Sequence, residues 1–205
     1  MSENYTDLRV IRTKNAIKLA LIELVLEQGF ESVSVKDITN KAGINRGTFY
    51  IHYTDKYDLM NKSQEEVMKE LSSVINKHYP NIITEFSKDE TSKIPFRLSV
   101  IIFRYLDENS DFIKAVLSPQ GDLSFQLKLK RFMWEVLFHK NFNDLLDNKK
   151  TLIPKNYIIS YVASAHIGII QEWIENGKKE SPEEMAHILS TITVNGAYHA
   201  AGIKR

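Results

Sequence analysis

The chain has no cysteine among its 205 residues. That excludes a disulfide framework and any zinc site built on thiolates. No apolar run approaches the length of a membrane span. The first ten residues, MSENYTDLRV, lack the apolar core of a signal peptide. A cytoplasmic location is expected. The motifs of catalysis and nucleotide binding are missing too: there is no HExxH pair, no GxSxG, no phosphate-binding loop and no dinucleotide fingerprint. Six histidines, His52, His78, His139, His166, His187 and His199, are scattered along the chain. Glu183-Glu184 has the look of a catalytic carboxylate pair. It follows Ser181-Pro182, however, where it reads as a helix cap. No enzyme, cofactor or metal is expected. No internal repeat, low-complexity tract or strand-like alternation is visible. The hydrophobic content of 43% and charged content of 26% describe an ordinary globular chain.

What is present is helical periodicity, and about nine helices are expected. The first runs from about Thr13 to Gln28, with Ile17, Ala20, Leu21, Leu24 and Val25 as its buried stripe and Gly29 as its stop. Thr54 is read as the cap of a long helix, Asp55 to about His78, ended by Pro80. Residues 81–93 read as a connection. Further helices are expected over 96–108, from Ser110 as cap to Leu117, from Asp122 to about Phe142, over 155–176, and from a Ser181 cap to about Ala197.

Between the first helix and the long one lies SVKDITNKAGINRGTFYIHYTDK, residues 34–56. Ser34 suits a cap and Asp37 the first turn behind it. Val35, Ile38 and Ala42 share a face, and Gly43 supplies the left-handed stop. Asn45 then caps a second short helix carrying Arg46, Gly47, Thr48, Tyr50 and His52. Two short helices joined by a glycine turn form a helix-turn-helix, whose second helix enters the DNA major groove. The net charge is only +1, but its distribution matters more. From Leu8 to Lys18 there are Arg9, Arg12, Lys14 and Lys18 and no acid, and the helix-turn-helix adds Lys36, Lys41, Arg46 and Lys56. Glu23, Glu27 and Glu31 are expected to face away. By itself the basic arm is a solvated surface; beside this motif it reads as a phosphate or minor-groove contact.

The run from Arg12 to Leu59 resembles the DNA-binding domain of TetR-family transcriptional regulators. The resemblance is carried by Gly29-Phe30, Ala42-Gly43-Ile44, Gly47-Thr48-Phe49-Tyr50, and Lys56 with Leu59. Thr39-Asn40 and Tyr53 depart mildly from the pattern. The resemblance implies an all-α fold, with a helix-turn-helix domain over 1–58 and a helical ligand-binding and dimerisation domain over 59–205. It implies a regulator, in the expected form a repressor, that binds a palindromic operator as a homodimer and is released by a small apolar or amphipathic effector. A helical protein–protein interaction module, or a regulator controlled by a protein partner, is the alternative.

The expected DNA contacts are Lys36, Asn45, Arg46, Gly47, Thr48, Tyr50, His52 and Lys56. Arg46 is the first choice, because arginine on a guanine edge is the commonest specific base contact. Lys56 is expected at a phosphate-binding helix N-terminus. Phe49 and Tyr53 are read as core. The last two long helices carry apolar sets interspersed with small residues. Intramolecular packing and a dimer seam both fit those sets, and the resemblance implies the dimer, through Tyr161, Ala165, Ile169, Ile188, Leu189 and Ile192. The second domain is rich in aromatics, which are more often core than pocket. Phe103, Phe112, Phe132, Tyr161 and His166 are the candidate effector-pocket residues.

Overall fold

A computed structural model describes residues 8–85, 94–119, 121–133, 135, 153–196 and 201. Among them the chain is all-α. Nine α-helices and one short 3-10 turn are present: α1 (Leu8–Gln28), the turn Phe30–Ser32, α2 (Val35–Lys41), α3 (Arg46–His52), α4 (Lys56–Glu85), α5 (Ile94–Glu108), α6 (Ser110–Leu117), α7 (Leu123–Met133), α8 (Lys155–Glu175) and α9 (Pro182–Asn195).

Several boundaries differ from the sequence reading. Helix α1 begins at Leu8 rather than near Thr13, so the basic arm is itself helical from Leu8 onward. Helix α4 passes through Pro80 and continues to Glu85. A proline removes one helical N–H bond and strains one turn, and a helix of 30 residues can absorb that. The cap of α4 is Asp55 rather than Thr54: the Asp58 amide donates to Asp55 Oδ1 at 2.7 Å, and the Thr54 amide donates to Asp58 Oδ2 at 2.9 Å. Ser110 does not cap α6. Asn109 precedes that helix, and Ser110 Oγ accepts instead from Lys178 Nζ. The expected extension of α7 from Met133 to Phe142 lies outside the described residues, apart from Glu135.

The core is continuous across the helices. In the head, Ile17, Leu21 and Val25 of α1 meet Ile38, Phe49 and Leu59. In the second domain Phe103 stands edge-on to Trp173, their ring centroids 5.2 Å apart, and Phe112 is edge-on to Phe125. Helix α9 lies chiefly against α5, while α8 packs on α6 and α7. Polar links reinforce this packing near the head. Lys18 of α1 bonds Glu66 of α4 at 2.8 Å and sits over the Phe112 ring of α6. Two residues earlier in α4, fully buried Gln64 donates to Asp122 Oδ2 and accepts from Lys128 Nζ, which also reaches Asn61.

Replacing Gln64 by Leu should take one hydrogen-bond partner from the Asp122 carboxylate and one from the Lys128 ammonium, leaving them Ser124 and Asn61. A buried partner lost in this way costs about 1–3 kcal/mol. The melting temperature should fall by several degrees, at roughly 2–4 °C per kcal/mol for a chain of this size. A variant melting with the wild type would show that this network contributes nothing to stability.

Candidate nucleic-acid interface

Helix α2 is fixed at its start by a reciprocal box. The Asp37 amide donates to Ser34 Oγ at 3.2 Å, and the Ser34 amide donates to Asp37 Oδ2 at 3.0 Å. The Ser34 hydroxyl and amide together hold the Asp37 carboxyl below its usual range. Gly43, at φ 65°, then takes the left-handed turn that a side chain would strain. Asn45 Oδ1 accepts from the Thr48 amide at 2.7 Å and from the Thr48 hydroxyl at 3.1 Å, which caps α3. The far end of α3 is closed by Lys62, whose ammonium donates to the His52 carbonyl and lies over the Tyr53 ring. A cation there also complements the helix dipole.

The core side of α3 is aromatic. Phe49 is 0% exposed and packs on nearly buried Tyr53, with ring centroids 5.6 Å apart. Its other faces are open. Arg46, Gly47 and Tyr50 are exposed, Thr48 and His52 are half-buried, and Tyr50 leans edge-on against Phe49. Among the described residues the Arg46 guanidinium has no partner. Lys36 is exposed at the start of α2. The outer faces of α3 and the leading end of α2 are thus open to solvent.

Three basic residues read as part of the DNA-facing charge are engaged elsewhere. Lys56 donates to the carbonyls of Phe30 (3.0 Å) and Glu31 (2.8 Å) and lies over the rings of Phe30 and Tyr57. It is a strap between α4 and the turn after α1, not a free phosphate-binding ammonium. Lys41 bridges Glu23 and Glu27 of α1, at 3.1 and 2.6 Å, and these carboxylates raise its pKa, Glu27 foremost. Those two acids therefore face α2 rather than away from it, and Glu31 accepts from the Tyr57 hydroxyl. Lys18 is held by Glu66. Arg12 and Lys14 remain exposed along α1. The sequence reading also passed over Ile51, which is 76% exposed on α3.

The expected effector-pocket residues do not converge. Phe103 and Phe112 are close-packed core, Phe132 is half-buried on α7, and Tyr161 is 64% exposed. His166 lies 3.0 Å from Thr193 Oγ1, and burial pushes its pKa down to about 4, so it is neutral near pH 7. A cleft of about 210 Å³ lies elsewhere, between α1, α6 and α8. It is lined by Val25, Leu26, Leu117 and Ile174, with Lys114 and Gln171 as polar members.

The dimer candidates divide as well. Leu189 is 5% exposed and points into its own chain, because α9 lays that face on α5; it is not an interface residue on the surface. Ile169 packs against the core, and Ala165 and Ile192 are half-buried. Tyr161 and Ile188 are exposed. On α8 the exposed positions Tyr157, Tyr161, Ser164 and Gly168 recur at spacings of four, three and four, which is one helical stripe.

A capped short helix with a buried aromatic back and an exposed polar front, set behind a second short helix, defines a helix-turn-helix DNA-binding protein. Residues 19–62 match the family model described as bacterial regulatory proteins of the tetR family, and residues 95–195 match the transcriptional regulator C-terminal region model. The chain belongs to the TetR family of transcriptional regulators, a family of DNA-binding regulators rather than enzymes. It is 34% identical over 189 residues to the HTH-type transcriptional regulator YxbF of Bacillus subtilis, covering 90% of this chain but 45% of that one. The chain thus spans about half the length of this relative. It is 24% identical over 133 residues to the HTH-type transcriptional repressor BepR of Brucella suis, covering 58% of this chain and 64% of that one. The solved structure of the dihydroxyacetone kinase operon activator DhaS superposes with a TM-score of 0.56 at 25% identity, covering 90% of this chain and 96% of that one. No described helix is long and apolar enough to cross a membrane.

Proposed function

We propose that the chain is a homodimeric repressor that binds a palindromic operator through two copies of α3 and is released by a small apolar or amphipathic effector. The observation that carries the DNA reading is the Arg46 guanidinium, exposed and without a partner among the described residues, at the front of a helix pinned by Asn45. Lys36, Thr48, Tyr50 and His52 join it as base or phosphate contacts, and Gly47 lets the backbone come close. In this reading the head ends near residue 58, and α4 carries its orientation onward.

The dimer reading is supported by the exposed α8 stripe and by Gly168. A Cβ at Gly168 would meet nothing within 4 Å, so nothing among the described residues requires a glycine there. Glycine inside a helix costs about 1 kcal/mol relative to alanine. A partner helix approaching closely would account for it. One short helix reads only a few base pairs, and pairing two of them extends the readout over two half-sites.

Repression is favoured by the likeness to BepR, whereas DhaS is an activator. A reporter fused to the operator decides the sign: deleting the gene should raise expression from a repressed promoter. The effector reading rests on the cleft that α1 of the head shares with α6 and α8. A molecule seated there would sense the head's position. An effector releases DNA only if it binds the DNA-incompetent arrangement better, so operator DNA must weaken effector binding by the same factor. Binders found by thermal-shift screening should therefore lose affinity when operator is added. Equal affinities would exclude that binder as inducer, and a screen without binders would favour control by a protein partner.

A further inference from the structure

Ile51 is the most exposed large apolar side chain among the described residues, at 76%. Its exposure forfeits the free energy of burial, and its β-branched side chain brings no helix-forming advantage. Neither the core nor the helix explains it. An α-helix turns about 100° per residue, so buried Phe49 fixes the direction of the core for all of α3. Gly47 and Ile51 stand two residues on either side of Phe49. Both therefore project from the opposite side of the helix, about 40° apart. Arg46 and Tyr50 border this outermost line on one flank, Thr48 and His52 on the other. Helical side chains lean toward the helix N-terminus. Ile51 thus leans toward the bare Cα of Gly47, where a Cβ would approach only Asn45 Oδ1, at 3.2 Å. The result is an apolar step, without donor or acceptor, in the middle of a polar reading surface.

The apolar group on the floor of the major groove is the 5-methyl of thymine. We propose that Ile51, beside the gap left by Gly47, seats a thymine methyl and selects thymine at one position of each operator half-site. This inference rests on the DNA-binding reading of α3.

The test starts from an operator selected by the wild-type protein out of random duplexes. Each thymine is then replaced in symmetric pairs by deoxyuridine, which lacks only the methyl. One pair should weaken wild-type binding by about fourfold per half-site, roughly fifteenfold in all, the scale of one methyl left unburied. Ile51→Ala should fold and melt like the wild type and should bind the thymine and deoxyuridine operators alike. A wild type indifferent to every deoxyuridine, or an Ile51→Ala protein that keeps the full penalty, would overturn the assignment while leaving DNA binding intact. A wild type that selects no duplex at all would overturn the DNA reading, and this inference with it.

Discussion

Arg46→Ala should abolish specific operator binding and leave the fold untouched. The guanidinium is exposed and has no partner among the described residues, so its removal strands nothing inside the protein. The cap of α3 runs through Asn45 and Thr48 and does not involve it. A bidentate arginine–guanine contact is worth roughly 1–3 kcal/mol. Two half-sites double this to roughly 2–6 kcal/mol, enough to bring specific affinity down toward the non-specific level. Gel shifts at fixed salt, with selected and scrambled duplexes, measure the difference. Unchanged discrimination between the two would remove Arg46 from the base-reading set.

The second large effect is expected on α8. Gly168→Glu should leave a folded chain, because the position is exposed and has open space around it. Glutamate is also a better helix former than glycine. At a two-fold seam, however, two new carboxylates would face each other in a desolvated contact. Sedimentation should then give a monomer with a wild-type circular dichroism spectrum, and operator affinity should collapse, since each head would have to bind alone. Leu189→Glu is a different case. Its side chain is buried within the subunit, so that substitution should unfold the second domain rather than separate subunits. A Gly168→Glu protein that still sediments as a dimer would move the seam away from this stripe.

Apart from the local misreadings at Thr54, Pro80 and Ser110, the legible and illegible parts of this chain divide by sequence distance. The boxes at Ser34–Asp37 and Ser181–Glu184, the Asn45 cap and the Gly43 turn are made by residues three or four apart, and the sequence reading found them all. The core role of Phe49 and Tyr53 was likewise readable from helical spacing. Lys18, Lys41 and Lys56 were misjudged because their partners lie 48, 14 and 25 residues away, where charge along the chain says nothing about pairing. Leu189 was misjudged for a related reason. Periodicity marks an apolar face but not which helix it meets, and here α5 takes the face that was assigned to a second subunit. Ile51 could have been found: it stands opposite Phe49 on any helical wheel. It was passed over because the charged and aromatic residues beside it drew the reading.

Helix α4 has 30 residues, about 45 Å at 1.5 Å each. Part-way along it, the buried grip of Gln64 on Asp122 and Lys128 offers a pivot. About 12 Å of rod lies on the head side of that grip and about 32 Å beyond it. Pivoting there, such a rod would be a reducing lever. A 5 Å swing of the long arm would move the head by only about 2 Å, but with nearly three times the force. Opposed swings in two subunits would change the head separation by roughly 4 Å, against a groove repeat of about 34 Å. Weak interactions at the far end of the rod would thus act at a mechanical advantage on the tight contacts at the DNA.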